Sequence, residues 1–465
     1  MKAWEYIYDL TKNAVPTILS DEQQTWESMT AVEKQTDDQL CRYWASHVPG
    51  SNAPESVVIA AVQSIEALGF DVSAAERLLP EGLEALKRKD MKALQRITAR
   101  IFSELFASPQ DIDHTYWKST VYRSFAEYEK SVVFPDTEEA PLSDDVLYDK
   151  TKAAWVGRLC GGGLGTAIEG YTTNQLLKKF GEIRTYVRKP NTYNDDITYE
   201  IAFLEACCKT AGIPSSADIA DQWLELIPCG WSAEQVALDN LRRGIYPPES
   251  GNFRNPYREW IGAQMRGAVC GQVAPLDPHK AALLAWRDAE ISHHGNGILG
   301  EIFNAVLVSL SFGRDSMQTC LEKAISLIPQ DSEYAAVLRF AWMQCTEQKD
   351  FYAAWAACEE KYKQYNWIHA YPNAAAEVIA LYFGKDNFDD VMHYIAMCGQ
   401  DVDCNAAQLG AALGAKLGTK GIPANWSAPF SDKVITYLRG DKTVSLQTLV
   451  EKTVSSAKRF RQRYI

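Results

Sequence analysis

Residues 400–418 read QDVDCNAAQLGAALGAKLG, and this stretch decides the fold class. Leucine recurs in it at every fourth position, and glycine recurs with the same spacing one position later. These positions are Leu409, Leu413 and Leu417, followed by Gly410, Gly414 and Gly418. Residues four apart lie on one face of an α-helix. Because a glycine inside a helix costs about 1 kcal/mol relative to alanine, three on one face indicate a closely packed neighbour, most simply another helix.

A second glycine repeat occupies residues 157–170, which read GRLCGGGLGTAIEG. A phosphate-binding loop would need a preceding strand and either a GKS or GKT ending or a GxGxxG frame, and the stretch has none of these. The spacing instead predicts a closely packed helix that ends at a turn and carries Glu169 at its end. The alternative for Glu169 is a solvated side chain, which is the usual state of a glutamate.

Helical periodicity dominates the rest of the chain. Apolar residues recur three and four positions apart at Ala60, Ala61, Ile65 and Leu68, and in residues 81–106, 281–291, 298–310, 317–328 and 335–343. The best candidate for a strand is residues 183–187, which read IRTYV. We therefore predict an all-α fold, or one that is nearly so.

Composition and charge limit the classes of function. Hydrophobic residues make up 46% and charged residues 23% of the 465 residues, as in ordinary globular proteins. Asp and Glu number 60 against 47 Lys and Arg, a net charge of −13 that argues against binding to a nucleic-acid backbone. The first residues, MKAWEYIYDLTKNAV, lack the apolar core of a signal peptide, and no apolar run is long enough to span a bilayer.

The eleven cysteines are scattered and form no CxxC pair. We interpret most of them as buried free thiols in a reducing compartment. Together with the missing signal peptide, this predicts a cytoplasmic protein that does not bind membranes.

A change in composition at residues 134–145, FPDTEEAPLSDD, predicts a solvated acidic linker. It separates a helical N-terminal region, residues 1–133, from residues 146–465, which carry the motifs that indicate chemistry. Residues 1–133 contain no recognisable chemical motif. The hypothesis for them is recognition of a protein partner or self-association, and the oligomeric state stays open.

Carboxylates precede two of the predicted helices. Asn194, Asp195 and Asp196 stand before an apolar stripe at 197, 201, 204 and 208, where the alternative role is capping of the helix N-terminus. Asp401 and Asp403 offer more oxygen atoms than a cap needs, and oxygen ligands favour Mg²⁺, Mn²⁺ or Ca²⁺. These two clusters suggest one shared site for divalent metal ions, although a thiolate at Cys404 would favour a softer metal.

Polar residues in three further stretches are candidates for a pocket wall. His293 and His294 are neighbours, and neighbours on a helix point about 100° apart, so at least one suits a polar wall better than a shared metal. Residues 296–297, Asn-Gly, read as a turn or helix punctuation. His369 and Asn373 stand before an apolar helix, where a cap or a satisfied hydrogen bond is the usual role.

Taken in order, these motifs resemble the ADP-ribosylglycohydrolase family over roughly residues 150–427. They are GRxxGxxLGxxxEG at 157–170, NDD at 194–196, NPYREWIGAQ at 255–264, SHxxNGI at 292–298, DxDCN at 401–405 and GIPANW at 421–426.

The resemblance implies a compact orthogonal bundle of helices around a central metal cleft that holds two Mg²⁺ ions, with Mn²⁺ as an alternative. The implied metal ligands are Asn194, Asp195, Asp196, Asp401, Asp403 and Cys404. The implied catalytic residues are Glu169, Asp196 and Asp403. The implied substrate-binding residues are His293, Asn296, Gly297, His369 and Asn373.

The implied function is Mg²⁺-dependent hydrolysis of the N- or O-glycosidic bond of an ADP-ribosylated or ribosylated substrate. The substrate classes are a modified protein, a small ADP-ribose conjugate and a nucleoside-like riboside. Asn194 stands where many family members have threonine, and Cys404 where they have serine or threonine. The alternative function is therefore a non-catalytic ADP-ribose-binding or structural member of the same fold.

Overall fold

The computed structural model describes residues 1–24, 26, 29–135 and 141–462, and these residues fold mainly into α-helices. This confirms the predicted all-α fold class. Within the described residues, no helix is both long and apolar enough to cross a membrane.

The N-terminal part of the chain contains seven α-helices among its described residues. They are α1 Ala3–Asn13, α2 Met29–Trp44, α3 Val57–Ala67, α4 Ser73–Glu76, α5 Leu79–Arg88, α6 Met91–Ala107 and α7 Phe125–Ser131. A short antiparallel hairpin joins α2 to α3. Its strands are β1 Ser46–His47 and β2 Pro54–Glu55, with Ser46 opposite Glu55 and His47 opposite Pro54.

The remainder of the chain continues the helical pattern. Its helices are α8 Asp144–Gly165, α9 Thr173–Phe180, α10 Asp196–Lys209, α11 Ser216–Leu226, α12 Ser232–Arg242, α13 Glu249–Asn252, α14 Gly267–Gln272, α15 Pro278–Ala289, α16 Asn296–Ser311, α17 Met317–Ser326, α18 Glu333–Gln348, α19 Phe351–Lys361, α20 Ala370–Gly384, α21 Phe388–Cys398, α22 Val402–Leu417, α23 Ala424–Ser427 and α24 Leu446–Gln462. Short 3₁₀ turns lie at Asp21–Gln23, Thr115–Lys118, Gln264–Arg266 and Thr419–Gly421. A second hairpin pairs β3 Lys433–Ile435 with β4 Thr443–Ser445.

Helices α8 and α22 form the closest pair in the described chain, and both carry the glycine repeats. A side-chain carbon added at Gly161 would lie 2.0 Å from the carbonyl oxygen of Ala406. One added at Gly410 would lie 2.2 Å from the carbonyl oxygen of Gly157. The two backbones therefore touch directly. The glycine spacing predicted this close approach, and each repeat is the other's partner.

Three local predictions differ from the structure. Residues 183–187 form no strand, since Ile183 packs into the helical core instead. Residues 81–106 are two helices, because Lys89 takes a left-handed conformation and Asp90 caps α6. Asn296 is the first residue of α16 rather than part of a turn.

The predicted linker at 134–145 lies partly outside the described residues, which lack 136–140. At its edges, Phe134 packs against the main core and Asp144 begins α8. The division of the chain into separate regions stays a prediction.

The described residues form two hydrophobic cores. The large core is formed chiefly by residues after 143. The second core joins the N-terminal helices to three residues from the other part of the chain, Ala233, Tyr257 and Trp260. Trp260 Nε1 donates to Ser64 Oγ at 2.7 Å, and Tyr257 Oη donates to the carbonyl of Val57 at 2.8 Å. The N-terminal helices therefore pack on the body that carries the acidic clusters.

Candidate active site

The N-termini of α10 and α22 bring the two acidic clusters together. Oxygen atoms of Asp195, Asp196 and Asp403 all lie within 4.8 Å of one another. Ligand atoms of Asp401, Asp403 and Cys404 form a second group at the same spacing. Asp403 belongs to both groups, so its carboxylate is shared between two adjacent sets of potential metal ligands.

Of Asn194, Asp195 and Asp401, only Asn194 caps a helix. Its Oδ1 accepts a hydrogen bond from the Ile197 amide at 3.3 Å, as a capping residue does. Asp195 and Asp401 directly precede α10 and α22, yet neither carboxylate accepts a capping hydrogen bond from its own helix. The capping alternative therefore fails for these two carboxylates.

Three carboxylate oxygens of the cluster are buried and accept no hydrogen bond from the described part of the chain. They are Asp196 Oδ2, Asp401 Oδ1 and Asp403 Oδ1. Leaving such atoms unpaired is costly, whereas Mg²⁺ and Mn²⁺ take carboxylate oxygens as ligands. Arg158 contributes one positive charge, with Nη1 3.7 Å from Asp196 Oδ2. The residues present thus fit a hard divalent cation.

Burial and neighbouring negative charges raise the pKa of three carboxyl groups in the site. Burial, followed by the charge of Asp403, raises the pKa of Asp195 to about 6 and that of Asp401 well above its usual value. Burial, followed by Asp403 and Asp401, also raises the pKa of Glu169 well above its usual value. A bound cation would oppose these shifts by compensating the negative charge.

Glu169 lies in the turn that follows α8. It is only 9% exposed, so the solvated alternative for this residue is wrong. The Gly170 amide donates to the carbonyl of Gln400 at 2.8 Å, and the Gln400 amide donates to the carbonyl of Tyr171 at 3.0 Å. This bridge fixes the Glu169 turn against the segment that leads into Asp401.

Cys404 contributes a thiol to the cluster. Its Sγ donates a hydrogen bond to Asp196 Oδ1 at 3.4 Å. Burial, followed by the charges of Asp196 and Asp401, raises the pKa of the thiol well above its usual value. Without a metal, Cys404 is therefore a hydrogen-bond donor to a carboxylate rather than a thiolate.

Sequence reasoning did not assign Arg158 or Glu200 to the site, yet Arg158 pairs with Asp196 and Glu200 pairs with Arg158. Glu200 follows Asp196 by one helical turn on α10, and both are buried. The four-residue spacing of the two acids was the available signal, because it places them on one face of the helix.

A cavity of about 740 Å³ opens over the cluster, and Glu169, Asp195, Asp401 and Asp403 line it. Its walls also include residues from the N-terminal region between Arg42 and Glu55. Sequence reasoning missed this contribution, because these residues form no motif and lie far along the chain from the acidic clusters.

The structure brings none of the five predicted substrate-binding residues to the described lining of this cavity. Asn296 donates from its amide and its Nδ2 to Glu259 Oε1, at 3.0 and 3.2 Å. Gly297 packs so closely that an added side-chain carbon would lie 2.3 Å from the carbonyl oxygen of Arg258. His293 is fully buried, with Nδ1 2.7 Å from Ser292 Oγ. Interior hydrogen bonding accounts for Asn296 and close packing for Gly297, while the buried His293 Nε2 has no hydrogen-bond partner among the described residues.

His369 and Asn373 act within the protein interior as well. His369 Nδ1 accepts from the Tyr371 amide at 3.2 Å and caps α20, and burial lowers the pKa of its imidazole to about 3. Asn373 Oδ1 accepts from the Asp401 amide at 3.1 Å and from Asn405 Nδ2 at 2.7 Å. Asn373 therefore positions the backbone of a candidate metal ligand.

Several known proteins are similar to this chain. The sequence pattern described as ADP-ribosylglycohydrolase matches residues 143–458, more than half of the chain. An uncharacterised protein of Archaeoglobus fulgidus is 24% identical over 300 residues, covering 62% of this chain and 93% of that protein.

The ADP-ribosyl-dinitrogen reductase glycohydrolase of Rhodospirillum rubrum is 26% identical over 314 residues, covering 63% of this chain and 94% of that enzyme. A solved structure of an ADP-ribosylglycohydrolase-related protein complex superposes with a TM-score of 0.47 at 19% identity. It covers 68% of this chain and 99% of its own.

Proposed function

The chain belongs to the ADP-ribosylglycohydrolase family, and we propose that it is a Mg²⁺-dependent hydrolase of ADP-ribosylated or ribosylated substrates. The observation that supports this most strongly is the position of Asp403, shared between two groups of potential metal ligands. Both groups include residues that line a cavity of about 740 Å³, which is within the range of small-molecule sites.

The charge of the cluster suits cleavage of a glycosidic bond. Such cleavage passes through a state that resembles an oxocarbenium ion, with positive charge at the anomeric carbon. Carboxylates at Asp195, Asp401 and Asp403 stabilise a positive charge that develops in the cavity. Two divalent cations held by Asp195, Asp196, Asp401 and Asp403 would supply contacts to ribose hydroxyls and an activated water.

Glu169 is the proposed proton carrier. Its carboxylate lines the cavity beside Asp403, on a turn fixed by backbone hydrogen bonds. In the proposed reaction, the oxygen of a water molecule bonds to the anomeric carbon as the glycosidic bond breaks. The bonding electrons leave with the nitrogen or oxygen of the leaving group. Glu169 takes the proton from the water and passes it to that nitrogen or oxygen, which restores the carboxylate.

The test is release of ADP-ribose or ribose by the metal-stripped protein, with and without added Mg²⁺ or Mn²⁺. The panel contains an ADP-ribosylated protein, a small ADP-ribose conjugate and a nucleoside-like riboside. We expect metal-dependent turnover of at least one substrate and a loss of 100-fold or more, on the order of a removed catalytic group, in Asp403→Asn.

The matched control is Asp145→Asn, which changes an exposed aspartate at the N-terminus of α8, outside the cavity. This variant should keep wild-type turnover. Metal occupancy without turnover on any substrate would overturn the proposed activity. Calorimetric binding of ADP-ribose by such an inactive protein would instead support the non-catalytic alternative.

A further inference from the structure

One wall of the cavity comes from residues that lie outside the family match. The β1–β2 hairpin and the end of α2 contribute residues between Arg42 and Glu55 to the lining, whereas the match to the family begins at residue 143. The hairpin runs along the cavity from the Glu169 turn to the loop that carries Trp231.

The tip of the hairpin packs directly on the Glu169 turn. A side-chain carbon added at Gly50 would lie 2.1 Å from the carbonyl oxygen of Thr166 and 3.1 Å from Glu169 Oε1. Arg188 joins the two segments, since it donates to the carbonyl of Gly50 at 2.6 Å and to that of Thr166 at 3.2 Å. The N-terminal region thus reaches the candidate proton carrier itself.

The base of the hairpin fixes the Trp231 ring. Glu55 Oε1 accepts a hydrogen bond from Trp231 Nε1 at 2.8 Å. Tyr43 packs against the same indole, with ring centroids 5.6 Å apart and planes at 54°. Trp231 is only half-buried and also lines the cavity. An indole held by two side chains presents an aromatic surface whose orientation is set before any ligand binds.

We propose that residues 46–50 and Glu55 form a substrate-binding wall, in which Glu55 and Tyr43 position Trp231 as a platform for a planar ring of the substrate. Stacking on an aromatic side chain suits any planar ring, because each presents a π-face. The proposal rests on the proposed function, since an ADP-ribosyl substrate carries such a ring in its adenine. An aromatic leaving group is the other source of a planar ring.

Calorimetry on the full-length protein tests the platform with three probes. ADP-ribose carries adenine, 4-nitrophenyl riboside carries an aromatic leaving group, and ribose 5-phosphate carries no planar ring. We expect Trp231→Ala and Glu55→Ala each to weaken binding of a ring-bearing probe by roughly 10-fold, the scale of one lost stacking contact. Binding of ribose 5-phosphate should stay within about 2-fold. The ring-bearing probe that loses affinity identifies the source of the ring.

A comparison of Glu55→Gln with Glu55→Ala distinguishes a role of Glu55 in positioning Trp231 from general damage to the fold. Glu55→Gln keeps an oxygen that accepts the indole N–H, so it should bind like the wild type, while Glu55→Ala should not. The control on the same hairpin is Asn52→Gly, which changes an exposed residue outside the cavity lining whose φ of 64° suits glycine. This control should leave all three affinities unchanged.

Equal losses for Glu55→Ala and Glu55→Gln, or equal losses for all three probes, would overturn the proposal. Unchanged affinity for both ring-bearing probes in Trp231→Ala would overturn it as well, while release of ADP-ribose from a substrate would leave the proposed function intact. Failure of the proposed function has a different signature: the wild-type protein itself would release neither ADP-ribose nor ribose.

Discussion

Glu377 is a buried carboxylate that lies apart from the acidic cluster, and its burial favours a neutral side chain. Its Oε1 accepts hydrogen bonds from Gln264 Nε2 and Asn304 Nδ2, both at 3.1 Å. Its Oε2 has no hydrogen-bond partner among the described residues. Burial raises the pKa of the carboxyl group to about 8, and the two amide donors oppose that shift.

This shift makes stability depend on pH. An unfolded glutamate titrates near pH 4.3, so between that pH and about 8 the folded chain holds a proton that the unfolded chain has lost. Raising the pH through this interval therefore favours unfolding. The contribution of protonated Glu377 is complete below pH 4.3 and is lost as the pH rises through 8.

Glu377→Gln should remove this dependence, because the amide is neutral at every pH. We expect the variant to gain stability relative to the wild type from pH 5 to pH 8, by about 2–4 kcal/mol. Urea unfolding of both proteins at several pH values measures the difference. A stability difference that does not change with pH would show that Glu377 is ionised in the folded protein.

Single residues also show where sequence reasoning reaches its limit. The carboxylate spacing predicted that Asp195, Asp196, Asp401 and Asp403 act together, and they lie in one cluster. Side-chain geometry decides which residue at a helix N-terminus caps the helix. At α10 that residue is Asn194. The polarity of His293, Asn296 and Asn373 suggested a pocket, yet a buried polar residue that is hydrogen-bonded internally has the same sequence signature.

The contact between α8 and α22 positions Glu169 and Asp403 relative to each other in the candidate site. Gly165 is the last residue of α8, and an added side-chain carbon there would lie 2.0 Å from the Asp403 amide. The Glu169 turn follows directly. The distance between Glu169 and Asp403 is therefore set by how closely the two helix backbones approach.

Gly161→Ala should separate these helices. The added carbon would lie 2.0 Å from the carbonyl oxygen of Ala406, which is backbone and cannot rotate away. We expect a loss of about 1–3 kcal/mol in the free energy of unfolding, as for other overpacked interiors, and a lower turnover number.

Lys152→Ala is the matched control, because Lys152 is exposed on the same helix. Its stability should stay within about 0.5 kcal/mol of the wild type. Urea unfolding and turnover of the two variants measure both effects. Wild-type stability in Gly161→Ala would show that the helices have room between them.

At the scale of elements, periodicity predicted the existence of the helices better than their ends. The repeats at 157–165 and 410–418 indicated close packing, although neither repeat shows which helix it packs against. Lys89 and Asp90 interrupt a continuous helical pattern through backbone conformation and capping. Both depend on local geometry that apolar spacing does not encode.

The stability of the whole molecule depends on contacts between the N-terminal helices and the part of the chain that matches the family. Tyr116 Oη donates to Glu259 Oε1 at 2.8 Å, and Tyr128 Oη donates to the carbonyl of Leu327 at 2.9 Å. Trp260 lies in the core shared with α3 and is 1% exposed. Sequence reasoning assigned residues 1–133 no chemistry, because contacts between distant segments leave no local pattern.

Removing residues 1–142 should therefore destabilise the remainder. A chain that starts at Ser143 exposes Tyr257 and Trp260 and removes the hydrogen bond that Tyr116 donates to Glu259. We expect a melting temperature at least about 5 °C lower, or aggregation of the shortened chain. Scanning calorimetry and light scattering on both chains measure this. An unchanged melting temperature and a monodisperse shortened chain would show that the remainder folds without residues 1–142.

The central claim is that Asp195, Asp196, Asp401 and Asp403 together hold two divalent cations for hydrolysis of an ADP-ribosyl or ribosyl group. Anomalous scattering from crystals equilibrated with Mn²⁺ tests this claim most directly. We predict two Mn²⁺ peaks beside Asp403, one within ligand distance of Asp195 and Asp196 and the other within ligand distance of Asp401. Crystals saturated with Mn²⁺ that show no peak at these carboxylates would contradict the claim.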